Sequence, residues 1–381
     1  MTRAYLDHAS TSPLRPEARD AMVEALHSLV GDPGRIHEEG LASRVALETA
    51  REQVAALVGA RPRSVVFTSG ATEAIGAAVW GAAERSRERS PVPVHHVVSA
   101  VEHSAVRRWA ERTGEVTVVP VDRGGRVAVD DVLAAIGPHT AAVHVQWGNH
   151  EVGTVQPVAE VVAACRERGV LVHVDAAQAA GRVPIAFDDL GADLLSLSGH
   201  KLGGPAGTGA LLVRRGLRVP PLLVGGDQER ARRAGLEPVA ALVGLGAAAA
   251  VLADPTRLAE EAARAVAQTD RIRTGLAAID GVATFGSAEH RLPHLVCAGI
   301  DGVEPQGVLL GLDRAGVAAH SGSSCSSESL EPSPVLEAMG VDAHRSLRLS
   351  VGWSTVDADV DRLLSALPET VARLRELAAG A

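Results

Sequence analysis

The sequence predicts an α/β protein: a large domain built on a mainly parallel seven-stranded sheet flanked by helices, followed by a smaller α+β domain. Two observations carry this. From about residue 45, short apolar runs alternate with segments of helical period, and several runs are apolar on both faces, as strands are when helices cover both sides of a sheet. The chain has 381 residues, 46 % of them hydrophobic and 22 % charged, which suffices for a large core with a second domain beside it.

Taken in order, Leu41 to Val58 reads as an amphipathic helix, Val65 to Thr68 as a strand and Thr72 to Arg85 as a helix. Val94 to Ser99, Val116 to Pro120, Ala141 to Val145, Val170 to Val174, Leu194 to Leu197 and Gly209 to Val213 supply six further strands. Helical stretches such as Val155 to Arg168 lie between them and imply right-handed crossovers. An Ala-rich segment, 239–253, and a long charged helical pattern, Pro255 to Ile279, lead to a region of shorter strands (Leu295 to Ala298, Ser346 to Val351) and helices (Pro305 to Ala315, Asp357 to Ala379). We place the large domain at 15–252 and the small one at 253–381, with residues 1–14 expected to dock on the latter.

A net charge of −9 argues against a nucleic-acid or membrane-surface binder, which would need a basic face. The start, Met-Thr-Arg-Ala-Tyr-Leu-Asp-His, lacks a signal-type apolar stretch, and the run Val239 to Ala253 contains two glycines and is too short to span a bilayer. Three cysteines, at 165, 297 and 325, are too few and too scattered for a disulfide framework or a zinc site. A cytoplasmic protein without metal is the expectation.

Of the 37 lysines plus arginines, only Lys201 is lysine, in Ser198-Gly199-His200-Lys201 after an apolar run. A guanidinium stays protonated and forms no Schiff base with an aldehyde, whereas an ε-amine does. Lys201 thus reads as the amine that holds pyridoxal phosphate, or as a stray surface lysine in an arginine-biased chain. Composition does not separate the two.

Other segments carry the same double reading. Thr68-Ser-Gly-Ala-Thr-Glu73 is a strand end, a turn and a helix start, suited to a phosphate cup or simply a capped turn. Asp175 ends a presumed central strand, where it could face a pyridine nitrogen or cap the next helix. His103 could lie over a cofactor ring and move protons, or face solvent in a loop. Arg348, inside the apolar strand Leu347 to Ser350, suits a substrate carboxylate or an internal ion pair. Cys325 is flanked by serines and a glycine, surroundings unlike those of a packed cysteine, and reads as a nucleophile on an exposed loop; Cys165 and Cys297 sit among apolar residues and read as packing.

Together these segments resemble the cysteine desulfurases of class V, within the fold-type I pyridoxal phosphate enzymes. The resemblance runs from Tyr5-Leu-Asp7 to about Thr355 through Phe67-Thr-Ser-Gly-Ala-Thr-Glu73, Glu102-His103, Glu151-Val-Gly153, His173-Val-Asp-Ala-Ala-Gln178, Ser198-Gly-His-Lys201 and Ser323-Ser-Cys325. It implies Lys201 as the cofactor-bound amine, Asp175 on the ring nitrogen, His103 stacked on the ring and Gln178 at the ring hydroxyl. Ala71, Thr72, Ser198 and His200 would hold the phosphate, with Asn149 and His150 also facing the cofactor. Arg348 and Asp32 would stand at the substrate, and Cys325 would take sulfur from L-cysteine as a persulfide. The resemblance further implies a homodimer and a sulfur-acceptor protein, of scaffold or tRNA-thiolation type. Three positions depart from the pattern: His150 and Asp32 each stand where the family usually has Asn, and Leu236 replaces a threonine expected to reach the partner subunit's phosphate. A class V lyase or transaminase acting on another amino acid, and a non-catalytic sulfur-relay protein, are the alternatives these departures motivate.

Overall fold

In a computed structural model describing residues 3–321 and 332–379, the seven apolar runs form one sheet. The chain opens with β1 (Ala4–Tyr5), α1 (Pro16–Ser28) and α2 (Glu38–Leu57), then alternates β2 (Val65–Thr68), α3 (Ala71–Arg89), β3 (His95–Ser99), α4 (Ser104–Thr113) and β4 (Glu115–Val119). It continues through α5 (Val129–Ala135), β5 (Thr140–Gln146), α6 (Val158–Glu167), β6 (Leu171–Asp175), α7 (Phe187–Leu190), β7 (Leu194–Ser198) and β8 (Gly209–Val213). The sheet order is β2-β8-β7-β6-β5-β3-β4. Pairings from β7 to β4 are all parallel, and β8 is antiparallel to both its neighbours, so β8 alone runs against the other six.

Period-two alternation decides what each face meets. One face carries Val97, Val143, Val145, Val172, Val174, Leu195 and Leu197, packed with Leu47, Val54, Val161 and Leu245 of the surrounding helices. The opposite face lies under α3, which packs across β5 to β8. Helix α6 begins three residues later than its apolar pattern suggests. Val155 is drawn into a bridge with Gly148, and Pro157, without an N–H, takes the N-cap position.

Next come α8 (Gln228–Ala231), α9 (Val239–Ala253), α10 (Pro255–Ala277), β9 (Val282–Phe285), β10 (Leu295–Ile300), α11 (Pro305–Arg314), β11 (Val317–Ala318), α12 (Pro334–Ala338), β12 (Ser346–Ser350) and α13 (Asp357–Ala379). Antiparallel β12-β10-β9 backs a second core of Val296, Ala298, Leu347 and Leu349 against Ile272, Leu363 and Leu367. Strand β1 pairs with β11, and Ala4 and Leu6 enter this second core. Helix α10 joins the two cores: Leu258 belongs to the first, while Ala265, Ile272 and Leu276 belong to the second. Among the described residues no single helix is long and apolar enough to cross a membrane.

The short α8 is strained, because Glu229, Arg230 and Ala231 have φ of 48°, 59° and 58°. Left-handed backbone costs about 1–2 kcal/mol per non-glycine residue. Glu229 anchors the turn: its buried carboxylate accepts from Arg51 Nη1 (2.6 Å), Arg51 Nη2 (2.7 Å) and the Phe67 N–H (2.8 Å).

Candidate active site

Five of the like-directed strands deliver the segments that follow them to one sheet edge. There they surround a cavity of about 490 Å³. In open α/β sheets ligands settle at this edge. Strand β2 contributes Ser69 to Glu73, β3 leads to His103, β5 to Gln146, Gly148 and His150, β6 ends at Asp175, and β7 leads to Ser198, His200 and Lys201.

The phosphate-cup and capped-turn readings of Thr68 to Glu73 resolve through its hydrogen bonds. The first helical bond of α3 is Ala74 N–H to Gly70 O at 3.1 Å, so the N–H groups of Ala71, Thr72 and Glu73 precede it, and no side chain caps the helix. All three residues line the cavity. Gly70 has φ 154° and ψ 179°, a region open essentially to glycine alone. The Glu73 carboxylate is occupied elsewhere, accepting from Ser69 N–H (2.8 Å) and Arg233 Nε (2.9 Å). This helix end therefore presents positive potential to the cavity.

Lys201 is no stray surface amine. It lines the cavity, where burial pushes its amine down to about 8, against the opposing pull of Asp175. Asp175 is buried, and its Oδ1 accepts from Ala177 N–H (3.0 Å) and from the Ser196 hydroxyl (3.3 Å). The carboxylate thus caps the following turn while still lining the cavity, so both readings of Asp175 hold together. His103 does likewise. Its Nδ1 accepts from Ala105 N–H at 3.1 Å, capping α4, and its ring stands edge-on to His150 with centroids 5.2 Å apart. Burial, reinforced by His150, pushes His103 down to about 4. The ring is accordingly neutral at pH 7, and its proton sits on Nε2 because Nδ1 is accepting.

Across the cavity Arg348, buried in β12, donates from Nη1 to His150 O (2.9 Å) and from Nη2 to Ser10 Oγ (2.5 Å) and Asp7 Oδ1 (3.2 Å). Its Nε meets no acceptor among the described residues. Internal pairing and a spare N–H thus coexist. The Gln178 amide donates to Ala9 O (2.9 Å) and contacts His294 Nε2 (3.3 Å), and His200 Nδ1 meets Thr11 Oγ1 at 3.1 Å.

Two expected residues stand outside. Asn149 is buried beneath the cavity, its Oδ1 accepting from Glu151 and Val152 N–H (2.8 Å each) and its Nδ2 donating to Val101 O; it shapes the turn and does not line the cavity. Asp32 accepts from Gly34 N–H (2.7 Å), pairs with Arg35 at 3.3 Å and likewise lies off the cavity, so no carboxylate repulsion arises there within one chain. Cys325 lies outside the described residues. Sequence reasoning missed Ala9, Ser10, Gln146 and His320, all lining residues. Only Gln146 had a signal, its position one residue past an apolar strand.

The class-V aminotransferase family model matches residues 4–363. A protein described as cysteine desulfurase, from Gluconacetobacter diazotrophicus, is 41 % identical over 387 residues, covering 99 % of this chain and 95 % of its own. Among solved structures, a NifS-like protein superposes with a TM-score of 0.90 at 28 % identity, covering 98 % of this chain and 100 % of its own. A structure described as SspA in complex with cysteine gives 0.79 at 29 % identity over 93 % of this chain and 100 % of its own. With a cavity edged by one half-buried amine, a carboxylate, a neutral imidazole and an anion-seeking helix end, the chain belongs to the class-V aminotransferase family.

Proposed function

We propose that this protein is a pyridoxal phosphate-dependent cysteine desulfurase, which releases L-alanine from L-cysteine and keeps the sulfur on Cys325. The observation that carries this reading is the meeting of the chain's single lysine with Asp175, His103 and Arg348 around one cavity. The likeness to a protein solved in complex with cysteine supports the substrate.

The donor set fits the cofactor. The exposed N–H groups of Ala71 and Thr72, with Ser198 and His200 beside them, suit its phosphate; Asp175 suits its ring nitrogen and Lys201 its aldehyde carbon. When bound, pyridoxal phosphate supplies an aldehyde for amines and a ring that withdraws electrons. Lys201, with its proton affinity reduced by burial, regains a neutral amine near pH 8 and takes the proton from the substrate Cα. His103 does not compete for that proton, because its Nδ1 is held by Ala105 N–H; it offers an Nε2–H donor instead. Arg348, steadied by Asp7, Ser10 and His150 O, lines the cavity with a fixed guanidinium that suits the substrate carboxylate.

Sulfur transfer breaks the substrate Cβ–S bond, forms an S–S bond at Cys325 and returns a hydrogen to Cβ. Thiol plus cysteine becomes persulfide plus alanine, with no external oxidant. The two described cysteines are poor candidates: burial pushes the Cys165 thiol up to about 11 and the Cys297 thiol up to about 12. We expect mass spectrometry after incubation with cysteine to find one added sulfur atom on Cys325. In Cys325→Ser the sulfur should be absent, and alanine release should fall by roughly tenfold or more. Persulfide on another cysteine, or unchanged turnover, would refute the assignment.

The reading extends to a homodimer working in the cytoplasm with a sulfur-acceptor protein, of scaffold or tRNA-thiolation type. Large apolar side chains stand exposed at Leu26, Val30, Ile36, Leu41 and Val45, and at Leu223, Val224 and Leu236. The second segment adjoins α2 through the ion pairs Arg51–Glu229 and Arg230–Glu48, so both sets of exposed apolar side chains flank one charged cleft. Sedimentation at micromolar concentration should give twice the chain mass, and Ile36→Asp should shift it toward the monomer.

A further inference from the structure

The face of the sheet under α3 carries an unusual polar file. Ser196 Oγ stands 3.3 Å from Asp175 Oδ1 and 3.2 Å from His173 Nε2. His173 Nδ1 is 3.2 Å from His144 Nδ1, and His144 Nε2 is 3.0 Å from His96 Nδ1. His96 Nε2 is 3.1 Å from Thr113 Oγ1, at the end of α4. Ser196 and the three histidines are at most 1 % exposed. The file crosses β7, β6, β5 and β3, a run of roughly 15 Å at about 4.8 Å per strand. Buried imidazoles on an otherwise apolar face would be costly unless each nitrogen were satisfied, and here every one is.

Valence assigns each proton. Asp175 as a carboxylate only accepts, so Ser196 donates to it and must accept from His173 Nε2–H. A neutral imidazole has one N–H, so His173 Nδ1 accepts from His144 Nδ1–H. By the same count His144 Nε2 accepts from His96 Nδ1–H, and His96 Nε2 accepts from the Thr113 hydroxyl, which must turn to it from Trp109 O (2.7 Å) and Ala110 O (3.2 Å), its alternative acceptors. Neutrality is secured by burial, which pushes His173 down to about 3, His96 to about 4 and His144 well below its usual value. The charged neighbourhood works the same way: His95 and Arg87 further disfavour charging His96, while Glu102, His103 and Lys201 are the ionisable groups bearing on Asp175.

We propose that His173, His144 and His96 are positioning residues for Asp175, forming with Ser196 a single file of hydrogen bonds that all donate toward its carboxylate. Aligned donors polarise one another, so the file strengthens the last bond beyond what Ser196 alone would give. It fixes Oδ1 and leaves Oδ2, which no protein donor reaches among the described residues, for the cofactor ring nitrogen. The proposal rests on the ring-nitrogen role given to Asp175 above, not on the substrate.

The test uses the holoenzyme and the pH titration of its visible absorbance. Ser196→Ala, which removes only a hydroxyl, should move the midpoint so that proton affinity changes by roughly threefold or more. His144→Phe leaves Ser196 beside Asp175, and should move the midpoint in the same direction by less. The double variant should match Ser196→Ala alone, because the file is already cut. An unmoved midpoint in His144→Phe, or additive shifts, would overturn the proposal. Should His144→Phe fail to fold, nitrogen-15 NMR of histidine-labelled wild type decides. The file requires protons on Nδ1 of His144 and His96 and on Nε2 of His173; any other pattern at pH 7 refutes it. Holoenzyme that releases no alanine from cysteine would refute the desulfurase reading and leave the file intact.

Discussion

Lys201→Ala should lose visible absorbance and cysteine turnover together, the latter by roughly three orders of magnitude or more. With a single lysine in the chain, no second ε-amine can substitute. Borohydride reduction of the wild-type holoenzyme should therefore label one residue, and a peptide map should find that label on Lys201 alone. The same amine burdens the empty protein. Its folded value of about 8 lies below the ordinary 10.5, so between these limits the unfolded chain binds more protons than the folded one. Stability of the cofactor-free protein should consequently rise as pH climbs from 8 to 10.5, by about 3 kcal/mol at most. Below pH 8 the penalty is present in full. Lys201→Met keeps the volume without the charge; it should be more stable than wild type at pH 7 and lose this rise, as urea unfolding at pH 7 and pH 10 would reveal. A wild-type curve flat over that interval would contradict the burial assigned to the amine.

Glu229→Ala should cost about 3–5 kcal/mol of unfolding free energy. The substitution removes a carboxylate holding Arg51 by two bonds and the Phe67 N–H by a third, at a site only 1 % exposed on the acid side and 2 % on the base. Arg51 would keep the Val65 carbonyl at 3.1 Å and the longer contact to Glu48 at 3.3 Å, with no closer carboxylate. The left-handed turn at 229–231 would lose its anchor as well. Part of the cost reflects an arginine stranded without its partner, so Arg51→Met with Glu229→Leu should be less damaging than Glu229→Ala. Denaturant midpoints of the three proteins check this ordering. A Glu229→Ala midpoint equal to wild type would mean that the ion pair is not holding the turn.

The seven strands were legible because each is a short, largely apolar run bounded by turn residues, six of them buried on both faces and only the edge strand β4 largely exposed. The site chemistry was legible where one residue type is rare, as with the solitary lysine, or where a charge follows a strand, as with Asp175. Strand β9, Val282–Phe285, was not recognised, since its four residues are all partly or fully exposed and show no alternation. Nor could Ser10 be assigned: its partner Arg348 lies 338 residues away, and no local pattern encodes such a contact. Asn149 followed a family pattern but serves its own turn, a distinction that only hydrogen-bond partners reveal. The histidine file escaped notice for a related reason. His96, His144 and His173 each look like a polar interruption of an apolar strand, and parallel pairing alone brings them together.

One wall of the cavity is made by the two extremes of the chain. Arg348 reaches Asp7 across 341 positions, and the Trp353 indole donates to Pro13 O across 340. Synthesis runs from the amino end, so Asp7, Ser10 and Pro13 must wait on the ribosome until Arg348 and Trp353 have been made. The vitamin-derived ligand can be enclosed only after these two residues have left the exit tunnel, some 340 positions behind their partners Asp7 and Pro13.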